Sequence, residues 1–270
     1  MKRLRSSQVE DFLRDGALSP IPVLSEEEVI RARAGLAEME LAIGGALQRI
    51  DHPHLHFRWA FDLTCHSAIL GVIEDILGPD VLVHSTRIFY KHPRDGTFVN
   101  WHQDGGYSRL SESRVVTAWI ALSDSTPENG CVRVIPGSHR QGVLAHHETN
   151  TPFNLSNHGE EVDADVDEST AADLVLAAGE MSLHDINVVH SSWPNHSDRC
   201  RIGFSATYAT PAIPAMASPV IRARGSAPAP HLRFWNAPPQ ETIAAALDAY
   251  GSYVRENRVP APRLQERPTA

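Results

Sequence analysis

Hydrophobic positions in the first third of the chain recur with helical spacing. Ser7-Gln8-Val9-Glu10 and Ser25-Glu26-Glu27-Glu28 are capping-box patterns. The first predicts a short helix stopped near Gly16, the second a longer one ending around Gly44-Gly45. A third helical-period segment runs from Ala68 to Leu77 and stops at Gly78-Pro79. From Val81 the texture changes to short strand-like runs punctuated by Gly, Pro and Asn: 81–84, 87–91, 115–122, 132–135, 174–176, 181–184 and 201–208. Many short strands of this kind predict a sandwich or jelly roll. A late helix is expected over 240–257. Residues 140–172 are polar, acidic and poor in strand signal, a length of loop that suits a substrate lid.

The expected organisation is one domain over residues 1–258. It has a helical part to about residue 80, a jelly-roll core over about 81–210, a closing helix at 240–257 and a flexible tail at 259–270. With 270 residues and 42% hydrophobic content the chain can fill one large core. A formal charge of −9 argues against nucleic acid as partner, because phosphate binding wants a basic surface. Three scattered cysteines imply neither a disulfide framework nor a Cys-based zinc motif. The basic N-terminus lacks a signal-peptide core, and no apolar run approaches membrane-spanning length, so a soluble, cytoplasmic protein is expected.

Chemistry first becomes legible at Trp101-His102-Gln103-Asp104. Side chains at i and i+2 of a strand share a face, so His102 and Asp104 would present an imidazole and a carboxylate to one point. The triplet is short, and a second one, His196-Ser197-Asp198, reads as a solvated turn. Two histidines and a carboxylate on one face of a metal suit a non-haem iron oxygenase. Three N/O ligands with an open position equally describe hydrolytic zinc, and the spacing leaves both open.

Five blocks match a known pattern in order and spacing. They are His102-x-Asp104, Val116-Thr117-Ala118-Trp119-Ile120-Ala121-Leu122, Glu128-Asn129-Gly130-Cys131, Val134-Ile135-Pro136-Gly137-Ser138-His139, and Gly179-Glu180 through His190 to Arg201. From about Val81 to Thr210 the chain resembles the phytanoyl-CoA dioxygenase family of Fe(II)/2-oxoglutarate oxygenases. The resemblance implies a mainly β fold with flanking helices, a double-stranded β-helix or cupin-like jelly roll. It implies Fe(II) on His102, Asp104 and His190, with 2-oxoglutarate and O2 as co-substrates. Arg201 would pair with the distal carboxylate of 2-oxoglutarate, a task that suits a planar, permanently charged guanidinium. Trp119 and Ser192 match further co-substrate positions.

Strand parity adds Thr117 beside Trp119, and Arg87 and Lys91 as groups able to hold an acid. Gln103, Tyr107, Arg109, Arg58 and Trp193 complete the residues considered for substrate contact. His184 reads as a satisfied core histidine, and His52-Pro53-His54-Leu55-His56 as a loop leading to the active-site mouth. The implied reaction is hydroxylation of an unactivated C–H bond in a small metabolite, free or carrier-tethered, with release of succinate and CO2. Related halogenases carry a small residue at the carboxylate position, so Asp104 favours hydroxylation. Desaturation or epimerisation by the same chemistry stays open, as do a metal-dependent isomerase or hydrolase on a cupin-like barrel and a non-catalytic binding module.

Overall fold

The computed structural model describes residues 2–107, 110, 114–149, 151, 153–156 and 160–265, without the side chain of Tyr107. Helices and strands alternate at the start: α1 (Ser6–Asp15), β1 (Ala17–Pro22), α2 (Glu26–Ile43), β2 (Leu47–Asp51), α3 (Arg58–Thr64) and α4 (Ser67–Leu77). The central strands are β3 (Val81–Lys91), β4 (Val99–His102), β5 (Val115–Ala121), β6 (Val132–Val134), β7 (His146–Glu148), β8 (Glu160–Val162) and β9 (Ala172–Leu174). Then come β10 (Glu180–Asp185), β11 (His190–Ser192), β12 (Arg201–Ala209), β13 (Ile221–Arg224), α5 (Ile243–Asn257) and β14 (Arg263–Leu264).

The capping box at Ser25 forms: its Oγ accepts the Glu28 N–H at 3.3 Å, and Glu28 Oε2 accepts the Ser25 N–H at 2.8 Å. The one at Ser7 does not. The helix opens earlier, at Ser6, where Gln8 Oε1 accepts the Arg5 N–H at 3.1 Å. The N-terminal part, read as helical, also contributes β1 and β2, which pair with β10 and β3.

Eight strands form the major sheet in the order β1-β10-β5-β12-β3-β2-β14, with β13 also paired to β3, and β4-β11-β6-β9 form the minor sheet. The two sheets make a double-stranded β-helix of the cupin-like jelly-roll type. Register sorts the side chains. On β12, Ile202, Phe204, Ala206 and Tyr208 join a core built with the helices. Residues of the other parity stand in cross-strand rows: Arg201 with Lys91; Gly203 with Phe89 and Ala121; Ser205 with Arg87 and Trp119; Thr207 with Ser85 and Thr117. His184 on β10 extends the last row opposite Thr117. Alternation thus gives one oily face to the helices and one functional face to the interior.

Within the segment read as a lid, β7 and β8 pair as a hairpin, and Val162 packs with Trp101 and Val189. His158 of this segment lies outside the described residues. Among the described residues, no helix is long and apolar enough to cross a membrane.

Candidate functional site

Between the sheets lies a cavity of about 300 Å³. His102 and His190 face each other across β4 and β11, and Asp104 follows at the start of a short 3-10 turn. Their ligand atoms all lie within 4.8 Å of one another. His102 Nε2 is 3.7 Å and His190 Nε2 3.9 Å from Asp104 Oδ1. His102 Nδ1 donates to Asn100 O at 2.8 Å and His190 Nδ1 to Val188 O at 3.0 Å. A carbonyl only accepts, so each Nδ1 carries the proton and each Nε2 lone pair is left for the centre.

The outer carboxylate oxygen is held separately. Thr117 Oγ1 donates to Asp104 Oδ2 at 2.9 Å, and His184 Nε2 lies 3.4 Å from the same atom. Burial alone would raise the Asp104 carboxyl, but the neighbouring imidazoles outweigh it and hold the group well below the usual carboxylate range. Burial, with His102 and His184 adding to it, holds His190 well below the usual imidazole range. The three side chains therefore offer two imidazole nitrogens and one carboxylate oxygen, a donor set that fits a divalent iron ion with positions left open.

Arg201 also lines the cavity. It is 1% exposed, and its Nε and one terminal nitrogen find no hydrogen-bond partner among the described residues. Its guanidinium lies 5.2 Å from the Trp119 ring. Burial lowers it to about 10, so it remains charged at neutral pH. A buried, charged guanidinium with donors that no described residue accepts is suited to an anion entering the cavity. Ser192 lines the same wall and accepts from Lys91 Nζ at 2.8 Å.

Several residues considered for ligand contact lie elsewhere. Lys91 is fully buried behind Ser192, its ammonium also bonded to Trp193 O, and it does not line the cavity. Gln103 points away between the two ligands on either side of it. Its Nε2 donates to Gly142 O at 2.9 Å and Asn187 O at 2.5 Å, and its Oε1 accepts from Leu144 N at 2.8 Å. Trp193 is turned outward, 47% exposed, with Arg133 stacked 4.0 Å from its ring centre. Arg58 sits on a separate groove beside α2 and α5, paired to Asp62 at 3.2 Å. Arg87 does line the cavity, with Asp51 as ion-pair partner. Arg109 and the Tyr107 side chain lie outside the described residues.

Three further histidines line the wall, of which His52 belongs to the segment read as leading to the active-site mouth. His184 lies beside the triad, its ring 4.5 Å from that of His190, where a satisfied core role was expected. Its parity with Thr117 across β10 and β5 was the available signal. His52 and His84 also line the cavity, whereas His56 packs against Trp235, Tyr250 and Tyr253.

Burial lowers His52, His56 and His84 to about 4 each. In the unfolded chain they titrate near ~6.5. The unfolded state therefore binds protons that the folded state refuses, and stability is lost as pH falls from about 6.5 toward 4. Each group contributes on the order of 2 kcal/mol of that loss by pH 5. Thermal melts should accordingly fall steeply between pH 7.5 and 5. A flat profile would show these imidazoles to be solvated.

The phytanoyl-CoA dioxygenase family profile matches residues 12–203. A probable alpha-ketoglutarate-dependent hypophosphite dioxygenase of Stutzerimonas stutzeri is 28% identical over 237 residues, 77% of this chain and 81% of its own length. An ectoine dioxygenase of Nocardia farcinica is 32% identical over 157 residues, 52% of this chain and 53% of its own. The solved structure of the non-haem monooxygenase ThoJ, in its apo form, is 32% identical with a TM-score of 0.76, covering 93% of this chain and 96% of that one. With the profile spanning most of its length, this chain belongs to the phytanoyl-CoA dioxygenase family of non-haem, 2-oxoglutarate-dependent oxygenases.

Proposed function

We propose that the protein hydroxylates a C–H bond of a small metabolite, consuming 2-oxoglutarate and O2 and releasing succinate and CO2. One observation carries this reading: a buried, charged Arg201 without a protein partner for two of its nitrogens opens onto the cavity that holds His102, Asp104 and His190. A metal-dependent isomerase or hydrolase would not need such a group.

His102, Asp104 and His190 would hold Fe(II), which when bound supplies the electrons and coordination positions for activating O2. Thr117 fixes the outer oxygen of Asp104, with His184 beside it, and keeps its partner oxygen turned to the two histidines. Arg201 grips the distal carboxylate of the co-substrate, supported by the face of Trp119. The wall then orients one C–H bond and excludes water. The balance is one C–H bond lost and one C–OH gained, with 2-oxoglutarate oxidised and decarboxylated to succinate. A cavity of about 300 Å³ is at the small end of ligand pockets and has to hold the co-substrate as well. That favours a compact substrate over an enclosed acyl-CoA.

The test is anaerobic. Addition of Fe(II) and then 2-oxoglutarate should produce the weak visible charge-transfer band of a chelated 2-oxo acid. In air, succinate should then rise with a turnover substrate, beginning with ectoine and L-proline. Iron binding without such a band at saturating 2-oxoglutarate would remove the oxygenase reading.

A further inference from the structure

Two imidazoles on the cavity wall are used by neither the triad nor Arg201. The first is set there by a register shift. On β12, Thr207 lies opposite Ser85, but the next residue, Tyr208, lies opposite Val83. His84 is thus an extra residue, a β-bulge on β3. Simple alternation would send it to the face opposite Ser85 and Arg87. The bulge re-aims it, and His84, Ser85 and Arg87 all line the cavity. The other edge of β3 is open at this point, since β13 pairs only as far as Val83 and β2 begins at Arg87.

His52 fills that gap. It holds a left-handed backbone conformation, φ 56° and ψ 34°, which is uncommon for a non-glycine residue. Its N–H donates to Thr86 O at 2.7 Å, fixing it against the bulged strand. Nδ1 of His52 is buried without a hydrogen-bond partner among the described residues, and the half-buried His84 stands on the same wall. Two irregular backbone positions therefore bring two imidazoles to one wall. The electrostatics of the wall have a sign. Asp104 is the one carboxylate among the described residues that line it, and the wall also carries Arg201 and Arg87, whose charge Asp51 balances from behind. At its imidazole end such a wall offers N–H donors and no carboxylate to repel an anion.

We propose that His84 and His52 form the substrate-binding end of the cavity, and that the substrate is a compact anion whose carboxylate or phosphonate oxygens accept hydrogen bonds from both imidazoles beside Arg87. This rests on the oxygenase reading above and names the class of molecule it acts on. Burial keeps both imidazoles neutral at pH 7, and a neutral imidazole still offers one N–H donor. The serines at 85, 156 and 218 line the same cavity and supply hydroxyl donors.

The test uses the full chain loaded anaerobically with Fe(II) and 2-oxoglutarate. Propionate and ethylphosphonate are titrated as probes, with propionamide as the neutral control, and the shift of the visible band is read. The acids should bind, the amide should bind about tenfold or more weakly, and one acid should exceed the other, which decides between carboxylate and phosphonate. His84→Ala and His52→Ala should each weaken the better acid by about tenfold or more, with the affinity for 2-oxoglutarate unchanged. His84→Gln, which keeps a donor, should recover part of the loss. Should His52→Ala fail to fold, the two His84 variants carry the test. Equal binding of acid and amide, no binding of either acid, or variants that bind as the parent does would overturn the proposal while the 2-oxoglutarate band persists. Absence of that band in the parent protein would instead mark failure of the oxygenase reading itself.

Discussion

Arg201→Met is expected to make the metal-free protein no less stable while removing most of its response to 2-oxoglutarate. The two effects have one cause. The guanidinium is buried and charged, and two of its nitrogens have no partner among the described residues, so without an anion beside it the group is a burden. Replacing an uncompensated buried ion by an apolar side chain of similar length is often neutral or stabilising by about 1–4 kcal/mol. Removing the guanidinium from the face of Trp119 offsets about 0.5–2 kcal/mol of that gain. With co-substrate present the sign reverses. Truncating one partner of a desolvated, bidentate guanidinium–carboxylate pair costs about 2–5 kcal/mol, or roughly 30- to 5000-fold in affinity. The parent protein at a hundredfold excess over its dissociation constant should gain about 2.7 kcal/mol from 2-oxoglutarate. The variant should gain at most about 0.9 kcal/mol at the same concentration. Thermal melts with and without co-substrate, on protein loaded anaerobically with Fe(II), read both arms. A variant that unfolds early yet still responds to 2-oxoglutarate as the parent does would make Arg201 a structural residue.

The parts of the site that were legible from sequence are those that regular strands carry. Period-two alternation over Arg201–Ala209 separates the helix-facing Ile202, Phe204 and Tyr208 from the cavity-facing Arg201, Ser205 and Thr207 without further information. The same logic brings Thr117 and Trp119 to the wall. It fails where the backbone breaks its own period. His84 is invisible as a wall residue because a bulge is a property of pairing between two strands, and one sequence does not reveal it. β2 is buried along its whole length, and its Arg49 and Asp51 pair with each other, so a polar-looking pentapeptide hides an interior strand. β1 carries two prolines and is an edge strand paired on one side only, which is the setting that tolerates them. Trp193 and Arg58 mislead for a different reason. Adjacency to Ser192 places Trp193 on the opposite parity, and a charged residue near the motif in chain order, such as Arg58, carries no direction in space.

Gly203 is a position where a single added carbon strikes the co-substrate site itself. An ideal Cβ there would sit 1.9 Å from the Trp119 ring, far inside contact distance. Trp119 stands in the row of Ser205 and leans its indole over Gly203, one row nearer Arg201. The ring is 3% exposed and packs with Ala121, Val132 and Val188, so it has no outlet. Gly203→Ala therefore has to displace either the indole or β12 itself, at a cost of about 1–3 kcal/mol or more. Either movement withdraws the aromatic face from Arg201, so affinity for 2-oxoglutarate should fall together with stability. Trp119→Leu should show the converse pattern: a cavity cost in stability and a weaker co-substrate site. Combined with Gly203→Ala it should regain stability, because the added methyl then enters space the indole has left. The cycle of parent, two single variants and the double variant isolates this coupling, expected at about 1–3 kcal/mol in favour of the double variant. The double variant should remain poor in 2-oxoglutarate binding, since the face that supports Arg201 is gone. Additive losses across the cycle, or a Gly203→Ala protein that melts and binds as the parent does, would show that the site does not depend on the indole lying in that slot.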